Sequence, residues 1–113
     1  MNLTATELAV RPQTTVLVDI RTAAEWRQTG IIEGAYTLTF FDAQGQADPP
    51  TWLAQLERIA SPEDDLVLIC RSGARTNMIL NFLHRQTDYL NARHLQGGML
   101  GWLEKGLPVV TVD

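Results

Sequence analysis

The sequence predicts an α/β fold in which a parallel sheet carries helices on both faces, and three observations predict it. Residues 15–20 form a largely β-branched apolar run and residues 66–70 an unbroken apolar one, the pattern of strands buried on both sides. Segments with helical spacing of apolar residues alternate with these runs. Polar, glycine-bearing turns separate them. Strands alternating with helices in such short units imply parallel strands joined by helical crossovers.

Each element has its own signal. Thr4 and Glu7 have capping-box spacing, which predicts a short helix from Ala5 to about Val10, ended by Pro12. After the strand at residues 15–20, residues 22–28 read as a short helix containing Glu25 and Trp26, stopped at Gly30. Residues 35–38 form a short second strand. Residues 42–50 are polar and include Gly45, Pro49 and Pro50, so they read as an exposed loop. Trp52, Leu53, Leu56 and Ile59 recur at helical spacing. Residues 66–70 form the central strand, followed by a helix with Met78, Ile79, Phe82 and Leu83 on its apolar face and an end near Thr87. A last strand covers residues 92–95. Gly97 and Gly98 then open a helix through Trp102 to Lys105, terminated by Gly106 and Pro108.

The 113 residues suit a single domain spanning the chain, and 45% hydrophobic against 19% charged residues suits a folded one. Nine basic residues face 13 acidic ones, and they are scattered from Arg11 to Lys105 rather than clustered, which argues against nucleic acid as a partner. No stretch approaches the roughly 20 apolar residues of a membrane helix, and the amino terminus has no signal-peptide pattern. One cysteine leaves no internal disulfide and no multi-cysteine metal site. The expectation is a cytoplasmic protein with a free thiol, Cys70.

A cysteine ending an apolar run is ordinarily an inert core residue. Position changes that reading, because ligands of open parallel sheets bind beyond the carboxyl ends of the strands, where Cys70 falls. The turn Cys70-Arg71-Ser72-Gly73-Ala74-Arg75-Thr76 can curl backbone N–H groups around one point beside a helix N-terminus. Gly73 permits the tight bend, and Arg71 and Arg75 add positive charge. Together these donors favour a thiolate, the reactive form of cysteine. The sequence reading therefore expects an exposed sulfur ringed by amide hydrogens.

Two families cradle a cysteine in this manner. Protein tyrosine phosphatases place five residues between Cys and Arg; here four, Arg71 to Ala74, separate Cys70 from Arg75, and Ile69 stands where phosphatases usually carry His. The shorter ring resembles the rhodanese loop. Val18-Asp19-Ile20-Arg21-Thr22 with Glu25-Trp26, Gly30-Ile31-Ile32-Glu33-Gly34-Ala35, the Cys70 loop, and Leu95-Gln96-Gly97-Gly98 followed by Trp102 and Gly106-Leu107-Pro108-Val109 are each similar to rhodanese signatures, in the family's order. The family's His between Gly30 and Ile32 is Ile31 here. Ser72 stands where some thiosulfate-active members carry a second cation.

The resemblance implies a rhodanese-like α/β domain with a five-stranded parallel sheet flanked by helices. It implies a sulfurtransferase in which Cys70 takes sulfane sulfur from thiosulfate or a persulfide donor and passes it to cyanide, a thiol or a protein, with no metal or organic cofactor. Residues 71–76 would bind the anion, with Arg71 steering the leaving group and Arg75 setting the loop's charge and shape. Asp19 and Arg21 read as a structural pair supporting the loop, and Trp102 as core that could also wall the site. The alternatives are a non-catalytic interaction module on the same fold and a cysteine-based phosphatase or arsenate reductase.

Outside the loop, His84 lies about 20 Å along the following helix, too far to be a base. His94 reads as a satisfied surface residue, Thr76 as a helix-start residue, and residues 40–50 as one rim of the pocket.

Overall fold

The computed structural model describes residues 2–113. Ten elements follow in the order β1 Asn2–Leu3, α1 Ala5–Ala9, β2 Val16–Asp19, α2 Ala23–Thr29, β3 Tyr36–Thr37, α3 Pro49–Leu56, β4 Leu66–Ile69, α4 Ala74–Gln86, β5 Arg93–Leu95 and α5 Gly98–Glu104. The five strands form one sheet in the order β1-β5-β4-β2-β3, with every pairing parallel. The expected fold class is present.

Alternation along the strands explains why the sheet needs helices on both faces. Val18, Leu66, Leu68 and Cys70 point to one side and pack with Trp52 and Leu56 of α3 and Ile79, Leu80 and Leu83 of α4. Leu17, Val67, Ile69 and Leu95 point to the other, against Ala5 and Leu8 of α1 and Met99 and Trp102 of α5. The short α2 buries no residue and sits at the strand ends instead.

Several boundaries differ from expectation. β1 was not foreseen: two residues are too short to show a period, and they form a strand because β5 supplies the partner. Pro49 and Pro50 open α3 rather than close a loop, since a proline in the first turn loses no helical hydrogen bond; Asp48 caps them. Ile59 lies beyond that helix. The buried face of α4 is Thr76, Ile79, Leu80 and Leu83, while Met78 is exposed. Trp26 is half-buried rather than core, its indole N–H donating to Asp19 Oδ1 at 3.1 Å. Among the described residues no helix is long and apolar enough to cross a membrane.

Candidate active site

The central strands β2 and β4 run side by side, pairing Asp19 with Ile69, so the turns after them emerge together. Cys70 is the first residue past β4. Residues 71–73 bend, Gly73 takes φ +102° as the N-cap, and α4 begins at Ala74. That left-handed conformation suits a residue without Cβ. It brings the Gly73 N–H back onto Cys70 Sγ at 3.0 Å. Thr76, in the first turn of α4, sets Oγ1 at 3.4 Å from the same sulfur. Thr76 is thus at the start of the helix but is not its cap, and α4 has no side-chain cap at all.

Two features of the expected cradle change. The sulfur receives one amide hydrogen and faces one hydroxyl rather than a ring of amides. Cys70 is also fully buried rather than exposed, packed in the cluster that includes Leu68 and Ile79. Arg71 and Ser72, which follow it, are themselves exposed.

The helix after β5 fixes the back of the turn. Met99 N–H donates to the Cys70 carbonyl at 2.9 Å and Leu100 N–H to the Arg71 carbonyl at 3.0 Å. So close an approach needs Gly98: a Cβ there would lie 2.4 Å from the Arg71 carbonyl oxygen and 2.5 Å from that of Cys70.

Both loop arginines point outward differently. Arg75 forms a two-pronged ion pair with Glu25 of α2, Nη1 to Oε1 at 2.8 Å and Nη2 to Oε2 at 2.7 Å. The Arg75 guanidinium, bonded to Glu25, holds that carboxyl at about 2, below its ordinary value of 4.5. The pairing raises Arg75 in turn, with the Cys70 sulfur acting the same way more weakly. Arg71 has no side-chain hydrogen bond among the described residues and borders a small cavity with Gln28, Met99, Leu100 and Leu103.

Asp19 and Arg21 form a buried pair. Arg21 Nη2 donates to Asp19 Oδ2 at 2.8 Å and Nε to Oδ1 at 3.0 Å, and the guanidinium also reaches Thr29 Oγ1 and the Gly30 carbonyl. Every oxygen and nitrogen there is occupied, as a buried charge requires. Trp102 is buried in the core on the inner side of α5, and its indole N–H donates to the Pro108 carbonyl at 2.9 Å. Phe40, Asp42 and residues 46–48 border a cavity with Thr51, Trp52 and Gln55, and Phe40 packs in the same apolar cluster as Cys70.

His94 corrects the sequence reading most. It is buried, with Nδ1 2.7 Å from Thr76 Oγ1 and Nε2 2.8 Å from Asn2 Oδ1. Unforeseen β1 covers it, since Asn2 is the register partner of His94. His84 instead bonds the Ala92 carbonyl, remote from the loop. Glu25 is the other missed residue; its partner stands 50 positions away.

The Rhodanese-like domain family model matches residues 4–105. The chain belongs to the rhodanese-like domain family. It is 36% identical over 99 residues to a sulfurtransferase of Allochromatium vinosum, covering 87% of this chain and 80% of that one. It is 29% identical over 101 residues to thiosulfate sulfurtransferase 18 of Arabidopsis thaliana, covering 85% and 72%. Among solved structures, a rhodanese-related protein from Thermoplasma volcanium superposes with a TM-score of 0.75 over 98% of both chains at 22% identity. That last likeness is one of rhodanese-like fold.

Proposed function

We propose that this rhodanese-like domain is a sulfurtransferase that carries sulfane sulfur on Cys70. The observation that carries the reading is the lone cysteine at the carboxyl end of the central strand, with Gly73 N–H aimed at its sulfur beside an uncapped helix N-terminus. Relatives named as sulfurtransferases support it.

In the first step the Cys70 thiolate attacks the outer sulfur of thiosulfate. The new S–S bond forms as the old one breaks, and sulfite leaves with the electron pair. With a persulfide donor, a thiolate leaves in the same manner. In the second step cyanide, a thiol or a protein thiolate attacks the terminal sulfur of the Cys70 persulfide and returns Cys70 to thiolate. Charge and atoms balance in both steps, which constitute covalent catalysis. The negative terminal sulfur would meet the N–H groups of the first turn of α4, a favourable place for an anion. Arg71, exposed and unpaired among the described residues, is the cation available to guide an anionic donor or leaving group. Arg75, held by Glu25, would set the loop's shape more than its free charge.

Incubation with thiosulfate, and separately with a small persulfide, tests the reading by intact-protein mass spectrometry. One added sulfur that is discharged by cyanide and absent in Cys70→Ser supports it. No adduct from any sulfane donor would sink it. The complete burial of Cys70 favours one second reading, a non-catalytic module that binds a partner. A thiol that resists both sulfur loading and alkylation in the folded protein would support that instead.

A further inference from the structure

A chain of hydrogen-bonded groups runs from buried Cys70 to Asn2 at the exposed edge of the sheet, and sulfur transfer as described leaves it unused. Sγ lies 3.4 Å from Thr76 Oγ1, Oγ1 lies 2.7 Å from His94 Nδ1, and His94 Nε2 lies 2.8 Å from Asn2 Oδ1. Cys70 and Thr76 have no exposure and His94 only 7%. The directions follow from which atoms carry hydrogen. Asn2 Oδ1 can only accept, so Nε2 bears a proton and donates. In a neutral imidazole Nδ1 is then the acceptor, and it takes the Thr76 hydroxyl hydrogen. A free lone pair of Oγ1 accepts from the Cys70 thiol. The Gly73 carbonyl is the hydroxyl's other acceptor, at the longer distance of 3.2 Å.

We infer that this chain is a proton relay in which His94 receives, through Thr76, the proton that Cys70 gives up on becoming nucleophilic. The Sγ–H bond breaks and Oγ1 takes that proton while its own moves to Nδ1. Sulfur keeps the electron pair as thiolate and His94 becomes an imidazolium, so the site's net charge is unchanged. Asn2 Oδ1 accepts from Nε2–H in both states, and no ring needs to turn. His94 meets no substrate and acts through Thr76, as a positioning residue. The inference rests on Cys70 being the nucleophile.

The surroundings suit a group that is neutral until the thiolate forms. His94 faces Thr76 of α4, Cys70 past β4 and Asn2 of β1, and no carboxylate is bonded to it among the described residues. Arg93, the residue before it in β5, points to the opposite face and pairs with Asp65. Burial holds the His94 pKa below its usual 6.5, and the positive charge of the amino terminus acts in the same direction. An imidazolium there is favoured only when an anion appears beside it, which is a coupled titration.

Coupling of this kind is reciprocal. Thiolate ultraviolet absorbance against pH, with Cys70→Ser as the blank, reads one side; NMR of the His94 ring nitrogens reads the other. The expected result is that His94→Gln raises the thiolate midpoint by about one pH unit, a tenfold loss of thiolate at fixed pH below it. Cys70→Ser should lower the His94 midpoint by the same amount. Thr76→Val should abolish both shifts and Thr76→Ser retain them. A His94 midpoint that does not move in Cys70→Ser overturns the relay, and this arm stands even if His94→Gln fails to fold. Sulfur loading by mass is measured separately: coupled titration without loading keeps the relay and removes the sulfurtransferase, and loading without coupling does the reverse.

Discussion

Two turns leave adjacent central strands on the same end of the sheet, and they treat their helices in opposite ways. After β2, Thr22 caps α2 with its side chain, Glu25 completes the capping box, and Asp19 and Arg21 neutralise each other in the interior. After β4, α4 starts from Gly73 with no side-chain cap, and the N–H of Gly73 itself donates to the Cys70 sulfur. The first turn is finished: its donors and charges are spoken for within the chain. The second is left open on its donor side. A helix end closed by its own side chains serves stability, and one closed by glycine leaves N–H groups for something else to meet. The Glu25–Arg75 pair ties the two turns, so the closed one holds the open one in place.

The comparison can be broken from the closed side first. Arg21→Met strands the Asp19 carboxylate in the interior, and chemical denaturation should read a loss of about 3–5 kcal/mol. A loss under about 1 kcal/mol would mean the pair is not the buried anchor its geometry describes. Next in size is Gly98→Ala, whose methyl would meet the carbonyls of the Cys70 turn at a backbone φ of +57°. It should cost about 2–3 kcal/mol and slow sulfur loading in the same variant; unaltered loading would show that the α5 contact is dispensable.

Glu25→Gln removes the tie. Both partners are about a quarter exposed, so the expected loss is about 1 kcal/mol after solvent screening. Its pH signature is specific. The folded-state pKa of Glu25 is depressed to about 2 from 4.5. Its contribution is therefore fully present above about pH 4.5 and is lost as pH falls toward 2. Wild type and Glu25→Gln should converge in stability across that window, and parallel curves would remove the assignment.

The smallest effect on stability is also the sharpest test. Gly73→Asn puts a side-chain oxygen at the open helix end, its Cβ in ordinary contact with Gly97 N and His94 Cε1 at 3.7 Å. Stability should change by less than about 1 kcal/mol, since Asn tolerates left-handed φ best after Gly. Sulfur loading should nevertheless drop about tenfold as the cap competes for the donors. Unchanged loading would mean that the open end plays no part.

What the residues revealed before any coordinates follows the same division. β2 and β4 were legible because strands buried on both faces read as continuous apolar runs, and the Cys70 turn because glycine and two arginines follow such a run. The partners of that turn were not. Glu25 looked like a helix-capping acid, which it is; its second role depends on two segments meeting in space. His94 looked like a surface residue because its cover, β1, is too short to leave a pattern. On α4, hydrophobicity pointed to Met78, whereas the helix turns Thr76 inward, under the sulfur. Side chains chosen for a polar contact run against a reading by apolar spacing alone.

The bonds from Met99 and Leu100 to the carbonyls of Cys70 and Arg71 have an electrostatic consequence. A peptide loop carries as many negative oxygens as positive hydrogens, and a visiting anion is repelled by the former. Here α5 engages two of those oxygens from behind. Two acceptors are thereby removed from the turn without adding a charge to an acidic protein.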